Sequence, residues 1–276
     1  MIKSVKERVW AFDLEWVPDP LAGRLLYGVP DSAAPREVLE RMWLEGGASD
    51  EDPTPFLKTV VCRIVSIAVV ERRAKGDDDQ PVLALLSLPK DPSRADEARE
   101  ANLVGTFLEA IGKHRPQLVG FNSQDSDLKI LIQRGVVLGV QAAGFSQRPE
   151  KPWEDWNVDL KKLVGGFGKA TPSLHELAVQ CGIPGKMDVD GNDVAALWLE
   201  GRLAEIVAYN ELDALTTYLV WLRMAHFSGL FSPSAYEREQ DHVRALIERE
   251  LAGGAKPHLA RYLEEWERLR AATGGR

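Results

Sequence analysis

The chain has 276 residues, 45% hydrophobic and 28% charged, a mixture ordinary for a globular protein with a substantial core. A net charge of −8 argues against broad, sequence-independent duplex binding, and two cysteines, Cys62 and Cys181, are too few for a disulfide scaffold. The longest apolar run, near 59–70, is broken by Arg63 and is too short to span a bilayer; Lys3, Lys6, Glu7 and Arg8 leave no leader-like stretch, so the expected location is cytoplasmic.

The first predicted element is a strand over residues 8–15, an apolar run that Pro18 and Pro20 bound. Alternation puts Asp13 and Glu15 on one face, one pleat apart, and Trp16 on the other. Residues 18–58 form a long Pro-, Gly- and acid-containing insertion with a helix near 35–43, expected to flank the site and shape the path to it. A β-branched strand follows over 59–71, then a turn at Asp77, Asp78 and Asp79 and a third strand over 81–88, which together predict an antiparallel meander. The three turn aspartates are expected to be solvated. A helix is expected over 94–113, with Leu103, Phe107, Leu108 and Ile111 on one face.

Residues 117–121 read as a buried strand running into Asn122 and a polar turn. A helix over 126–134 puts Asp127 in its first turn, where the dipole favours negative charge; Asp125 competes with it as N-cap. A short fifth strand is expected at 156–160. Leucines and other apolar residues recur at helical spacing over 202–225, so Tyr209 and Asp213, four apart, share a helical face. From about residue 232, Val243, Leu246, Ile247, Leu259, Tyr262 and Trp266 predict further helices that either cover the core or form an oligomer interface, with covering preferred.

Asp13, Glu15, Asp127 and Asp213 follow or lie in apolar runs, where a carboxylate is costly unless something compensates its charge. Convergence on divalent cations is the cheapest common explanation, and an all-oxygen ligand set selects Mg²⁺ or Mn²⁺. Taken singly, each segment has a blander reading: solvated acids at a strand end, a helix-start Asp, an ordinary Tyr–Asp pair. Only the three together carry the signal.

Phe12-Asp13-Leu14-Glu15, Asn122 through Asp127, and Tyr209 through Asp213 resemble, in order, the three motifs of the DEDD superfamily of 3′–5′ exonucleases. The tyrosine branch (DEDDy) is indicated, because the sister branch places a His five residues before the last Asp and Ala208 stands there. The chain is most similar to stand-alone proteins related to the proofreading domain of family B DNA polymerases, over roughly residues 8–227, including Ser173 through Ala178 and Gly182 through Met187. Ser126 stands where the family usually has an aromatic and Lys129 where it often has a Pro, which keeps Asp125 as the competing ligand.

The resemblance implies an α/β, ribonuclease H-like fold: a mixed five-stranded sheet flanked by helices, with extra C-terminal helices. The exonuclease domain is expected over 1–230, and the helical extension over 231–276 is expected to pack on the core. The resemblance also implies catalytic roles for Asp13, Glu15, Asp127, Tyr209 and Asp213. Asp13 would bridge two metals, Glu15 and Asp213 would complete one site, Asp127 would serve the other, and Tyr209 would orient the nucleophile. The expected reaction releases 5′-mononucleotides from the 3′ end of single-stranded nucleic acid, DNA before RNA; any polymerase or repair partner would act in trans.

Asn122, Trp16 and Phe121 are the candidate substrate contacts; Trp16 is either core or stacking platform, and Asn122 either a strand contact or an Asx turn. Lys151, Trp153, Trp156, Lys161, Lys162, Phe167 and Lys169 interleave bases with aromatics, either to track a single strand or as a solvated loop and helix face. Asp159, Asp188, Asp190 and Asp193 are expected in turns and caps and His175 in a structural role. The alternatives are an RNA 3′-end ribonuclease and a catalytically idle nucleic-acid-binding module.

Overall fold

The computed structural model describes residues 1–75, 78–148, 155–165, 170–187 and 193–274. Its strands are β1 (Arg8–Pro18), β2 (Cys62–Lys75), β3 (Asp78–Leu88), β4 (Gln117–Gly120) and β5 (Asn157–Asp159). Helices α1 (Pro20–Tyr27) and α2 (Pro35–Glu45) lie between β1 and β2, and α3 (Glu100–His114) between β3 and β4. After β4 come α4 (Asp127–Val137) and α5 (Ala143–Ser146), and after β5 come α6 (Leu160–Val164), α7 (Leu174–Gln180), α8 (Val194–Leu199), α9 (Leu203–Phe227), α10 (Pro233–Ala252) and α11 (Leu259–Ala272).

The strands form one mixed sheet in the order β3-β2-β1-β4-β5. The first three make the antiparallel meander; β4 joins β1, and β5 joins β4, in parallel. This is the ribonuclease H-like arrangement the resemblance implies.

Alternation along β1 divides the core. Trp10, Phe12 and Leu14 point to one face, where α2, α3 and α4 supply Met42, Phe107 and Leu131. Val9 and Ala11 point to the other, where α9, α10 and α11 supply Tyr218, Trp221, Ile247, Tyr262 and Trp266. Small residues let α9 lie close on the sheet: Ala11, Ala68 and Ala214 are completely buried. The residues of α10 and α11 belong to the same apolar cluster as the sheet, so the C-terminal segment covers that face. Among the described residues, no helix is long and apolar enough to cross a membrane.

Several boundaries differ from expectation. Residues 59–61 form a 3₁₀ turn, and β2 starts at Cys62. The helix expected from residue 94 starts at Glu100: Asp91 accepts from Ser93, and Arg94 pairs with Asp96 and Glu97, local bonds that compete with helix formation. The insertion holds two helices rather than one. Helix α1 has Asp19 as N-cap, accepting from Leu21 N–H, Pro20 at its first position and Gly28 at positive φ after its end, signals that stand in the sequence.

Candidate active site

The cavity opens where β1 and β4 part. Their parallel pairing covers only Val9 to Ala11, and β4 ends at Gly120, while β1 runs on to Pro18. The Leu14 N–H is therefore beyond that pairing. It donates instead to Asp127 Oδ1, 3.1 Å away, which ties the first turn of α4 to the strand that carries Asp13 and Glu15. Crevices at the carboxyl ends of parallel strands are the usual ligand sites of α/β sheets.

Asp13 and Glu15 project toward α9, opposite Ala68 and Ser66 of β2. Asp213 approaches from α9, and one carboxylate oxygen of each of the three lies within 4.8 Å of the others. Asp127 lines the same cavity at 4% exposure. Asp125, the competing candidate, is exposed and pairs with Lys129 and Lys162 instead. The missing aromatic at Ser126 does not displace the helix: the Ser126 hydroxyl donates to Asp127 Oδ2 at 2.8 Å and to the Asn122 carbonyl at 3.0 Å.

Electrostatics explain what such a cluster demands. Burial, and then the charges of Asp127, Glu15 and Asp213, push the Asp13 carboxyl well above its usual range; Lys186 partly offsets them. Glu15 is raised by burial, Asp213 and Asp127, again against Lys186. Burial raises Asp127 to about 6, opposed by the bonds from Ser126, its own backbone and Leu14. Carboxylates this close ionise together only when positive charge lies among them. The chain supplies one such charge in Lys186, and the all-oxygen donor set fits hard divalent cations. Tyr209 is 5% exposed, and burial with the charges of Asp213, Glu15 and Asp13 pushes its phenol far up. It is hydrogen-bonded to Asp213.

The cavity, of about 400 Å³, has an acidic floor and an aromatic side. Phe121 and Asn122 line it, as do Trp16, Trp43 and Phe56. Trp16 packs on the α3-side core and also lines the cavity, edge-on to Phe56 at 6.4 Å. Phe56 is 75% exposed. Cys62 lines the cavity too, but burial raises its thiol to about 12, so it is an inert thiol.

Three supporting residues escaped the sequence reading. Asp159, assigned only a turn or cap, caps α6 and also accepts from the backbone N–H groups of Asn122 and Gln124, each at 3.0 Å, holding the loop before Asp127. Asn122, at φ 65°, thus has a positioned backbone as well as a side of the cavity. Arg134 on α4 forks onto Glu100 and reaches Asp19, all three buried. Lys186 carried only a family likeness, with no local pattern to mark its charge as part of the site.

Of the interleaved bases and aromatics, Lys151, Trp153, Phe167 and Lys169 lie outside the described residues, as do Asp77, Asp188 and Asp190. Trp156 sits under Lys6, and Lys162 pairs with Asp125 and Gln124, so these described members belong to local pairs. His175 accepts from Lys186 N–H through Nδ1 at 3.0 Å.

A family model described as "Predicted 3'-5' exonuclease related to the exonuclease domain of PolB" matches residues 54–266. That stretch includes Asp127, Tyr209 and Asp213 but begins after β1; Asp13 and Glu15 join the site through the geometry above. A search of the curated proteins gave no match.

Proposed function

Because the chain belongs to this family of predicted 3′–5′ exonucleases related to the exonuclease domain of PolB, we propose that it removes 5′-mononucleotides from the 3′ ends of single-stranded nucleic acid, DNA in preference to RNA, with two divalent cations, Mg²⁺ or Mn²⁺. The observation that carries the proposal is the convergence of Asp13, Glu15 and Asp213, two from outside the matched stretch and one from within it. The exonuclease unit spans residues 1–230, with 231–276 as a packed extension.

Asp13, Glu15 and Asp213 would hold the cations, with Asp127 beside them in the same cavity. Cations bound there supply Lewis acidity, making water more acidic and neutralising charge that builds on the phosphodiester. Tyr209 uses its hydroxyl to orient the attacking water. Lys186 lines the same cavity, and its charge complements that of the phosphate. Trp16 and Phe56 take the terminal base against their rings, and Asn122 and Phe121 border the sugar. A wall built for one unstacked base favours single strands over duplex ends.

A time course on 5′-labelled single-stranded DNA and RNA oligomers, with Mg²⁺, Mn²⁺ or chelator, tests this. The expected result is a ladder shortening from the 3′ end, faster on DNA and abolished by chelator. Internal cleavage, or full activity in chelator, would refute it; binding without shortening would favour an idle binding module.

A further inference from the structure

A second groove, of about 460 Å³, runs between the start of α7 and the exposed face of α11. Lys186 lines both this groove and the acidic cavity, so the two adjoin at one cationic residue. The junction is firmly built. The His175 ring lies so close to Gly185 that any side chain there would collide with it, and its Nδ1 holds Lys186 N–H. The Thr216 hydroxyl donates to the Pro184 carbonyl at 3.0 Å and meets the Tyr262 hydroxyl at 3.0 Å, fixing α11 against α9 and the loop.

Helix spacing decides what α11 presents. Leu259, Tyr262, Trp266 and Leu269 are buried, which leaves Arg261, Glu264, Glu265 and Arg268 along the groove at spacings of three, four and seven. With Lys186, three cations face two carboxylates, a balance of +1 in a chain that carries −8 overall. Arg268 is held by Glu265 through two bonds of 2.7 Å, but the Arg268 side chain is 64% exposed, and an exposed pair of this kind is weak enough to exchange partners.

We propose that this groove carries the sugar–phosphate backbone of the strand upstream of the scissile nucleotide, with Lys186 at the junction and Arg261 and Arg268 as phosphate contacts. The inference rests on the exonuclease reading and adds to it a role for the C-terminal extension: the helix that covers the core also lengthens the binding site. Phosphate displaces Glu265 from Arg268 as the strand enters.

The test compares dT2 with dT12 in the full chain and in two variants, Arg261→Glu/Arg268→Glu and Glu265→Gln. Both alter exposed or half-exposed positions outside the acidic cavity. For the double variant, KM for dT12 is expected to rise about tenfold or more and the salt slope to fall by roughly one for each arginine removed, while dT2 turnover stays unchanged. Glu265→Gln is expected to lower KM for dT12. An unchanged ratio of dT12 to dT2 in both variants overturns the groove. Should the unaltered protein cleave neither oligomer, the exonuclease reading fails, and anisotropy of labelled dT12 decides the groove alone: weaker binding by the double variant supports it, and equal binding overturns it.

Discussion

Tyr209 and the acids around it set two predictions at the scale of single residues. Its hydroxyl is hydrogen-bonded to Asp213. Tyr209→Phe removes that group and nothing else, so kcat is expected to fall on the order of 10²-fold, as for other single polar groups aimed at a reacting centre, with Mn²⁺ affinity retained. Single-turnover kinetics beside a Mn²⁺ titration would measure both; wild-type turnover would remove the assigned role. The carboxylates make the second prediction. Asp127 moves from 3.8 to about 6 on folding. A carboxyl raised in this way favours the fold fully below pH 3.8 and loses that advantage as pH climbs through about 6; Asp13 and Glu15, raised well above their usual range, carry the loss further up. The chelated protein is therefore expected to become less stable as pH rises from about 4 through about 6 and beyond, and Mn²⁺ to restore it. Asp13→Asn should raise the chelated Tm at pH 8 by several degrees, since about 1 kcal/mol moves Tm by ~2–4 °C in chains near this size. Melts in chelator that run flat with pH would contradict the repulsion.

Elements bring these residues together, and they were legible in the sequence to different degrees. Strand β1 and helix α9 stood out because their apolar periods are clean and their acids interrupt them at one face. Asp127 was ambiguous because two aspartates compete at one helix start; a backbone bond from Leu14, 113 residues away, is what separates them, and no local pattern encodes it. The Arg134 clamp was hidden for the same reason. Arg134 joins α4 to Glu100 at the start of α3 and Asp19 at the start of α1, and Glu100 also accepts from Ile64 N–H of β2 at 2.8 Å. One buried guanidinium thus ties α4 to α3 and α1, and Glu100 extends the link to β2. Arg134→Met leaves two buried carboxylates uncompensated and is expected to cost about 3–5 kcal/mol, read as a lower denaturation midpoint in urea. Arg134→Lys keeps the charge but loses the fork, so it should fall between. A Met variant as stable as the wild type would mean that the clamp contributes specificity rather than stability.

For the whole molecule the question is what holds the C-terminal helices on the sheet. Apolar burial does most of it, through Tyr262, Trp266, Leu246 and Ile247. Two charged pins add direction. Arg72 of β2 bonds Glu239 of α10, which also accepts from Tyr218, and all three are buried. Glu211 of α9 takes Lys256, His258 and Ser87 from the α10–α11 connection and β3. These partners hold the Glu211 carboxyl below its usual value despite its burial. A lowered carboxyl contributes above its unfolded value of about 4.5 and loses that contribution as pH falls through the folded value. Glu211 lies between Tyr209 and Asp213 in sequence yet serves this connection, so the same turn of α9 faces the cavity on one side and anchors the extension on the other. Glu211→Gln is accordingly expected to destabilise by about 2–4 kcal/mol at pH 7, because the half-buried Lys256 is left without its partner, and by less at acid pH, where the wild type also loses the ion pair. Thermal melts at pH 7 and pH 4 would show a gap that narrows with acid. Melts that coincide at both pH values would mean that Lys256 and His258 find other partners, and that apolar packing alone seats the extension.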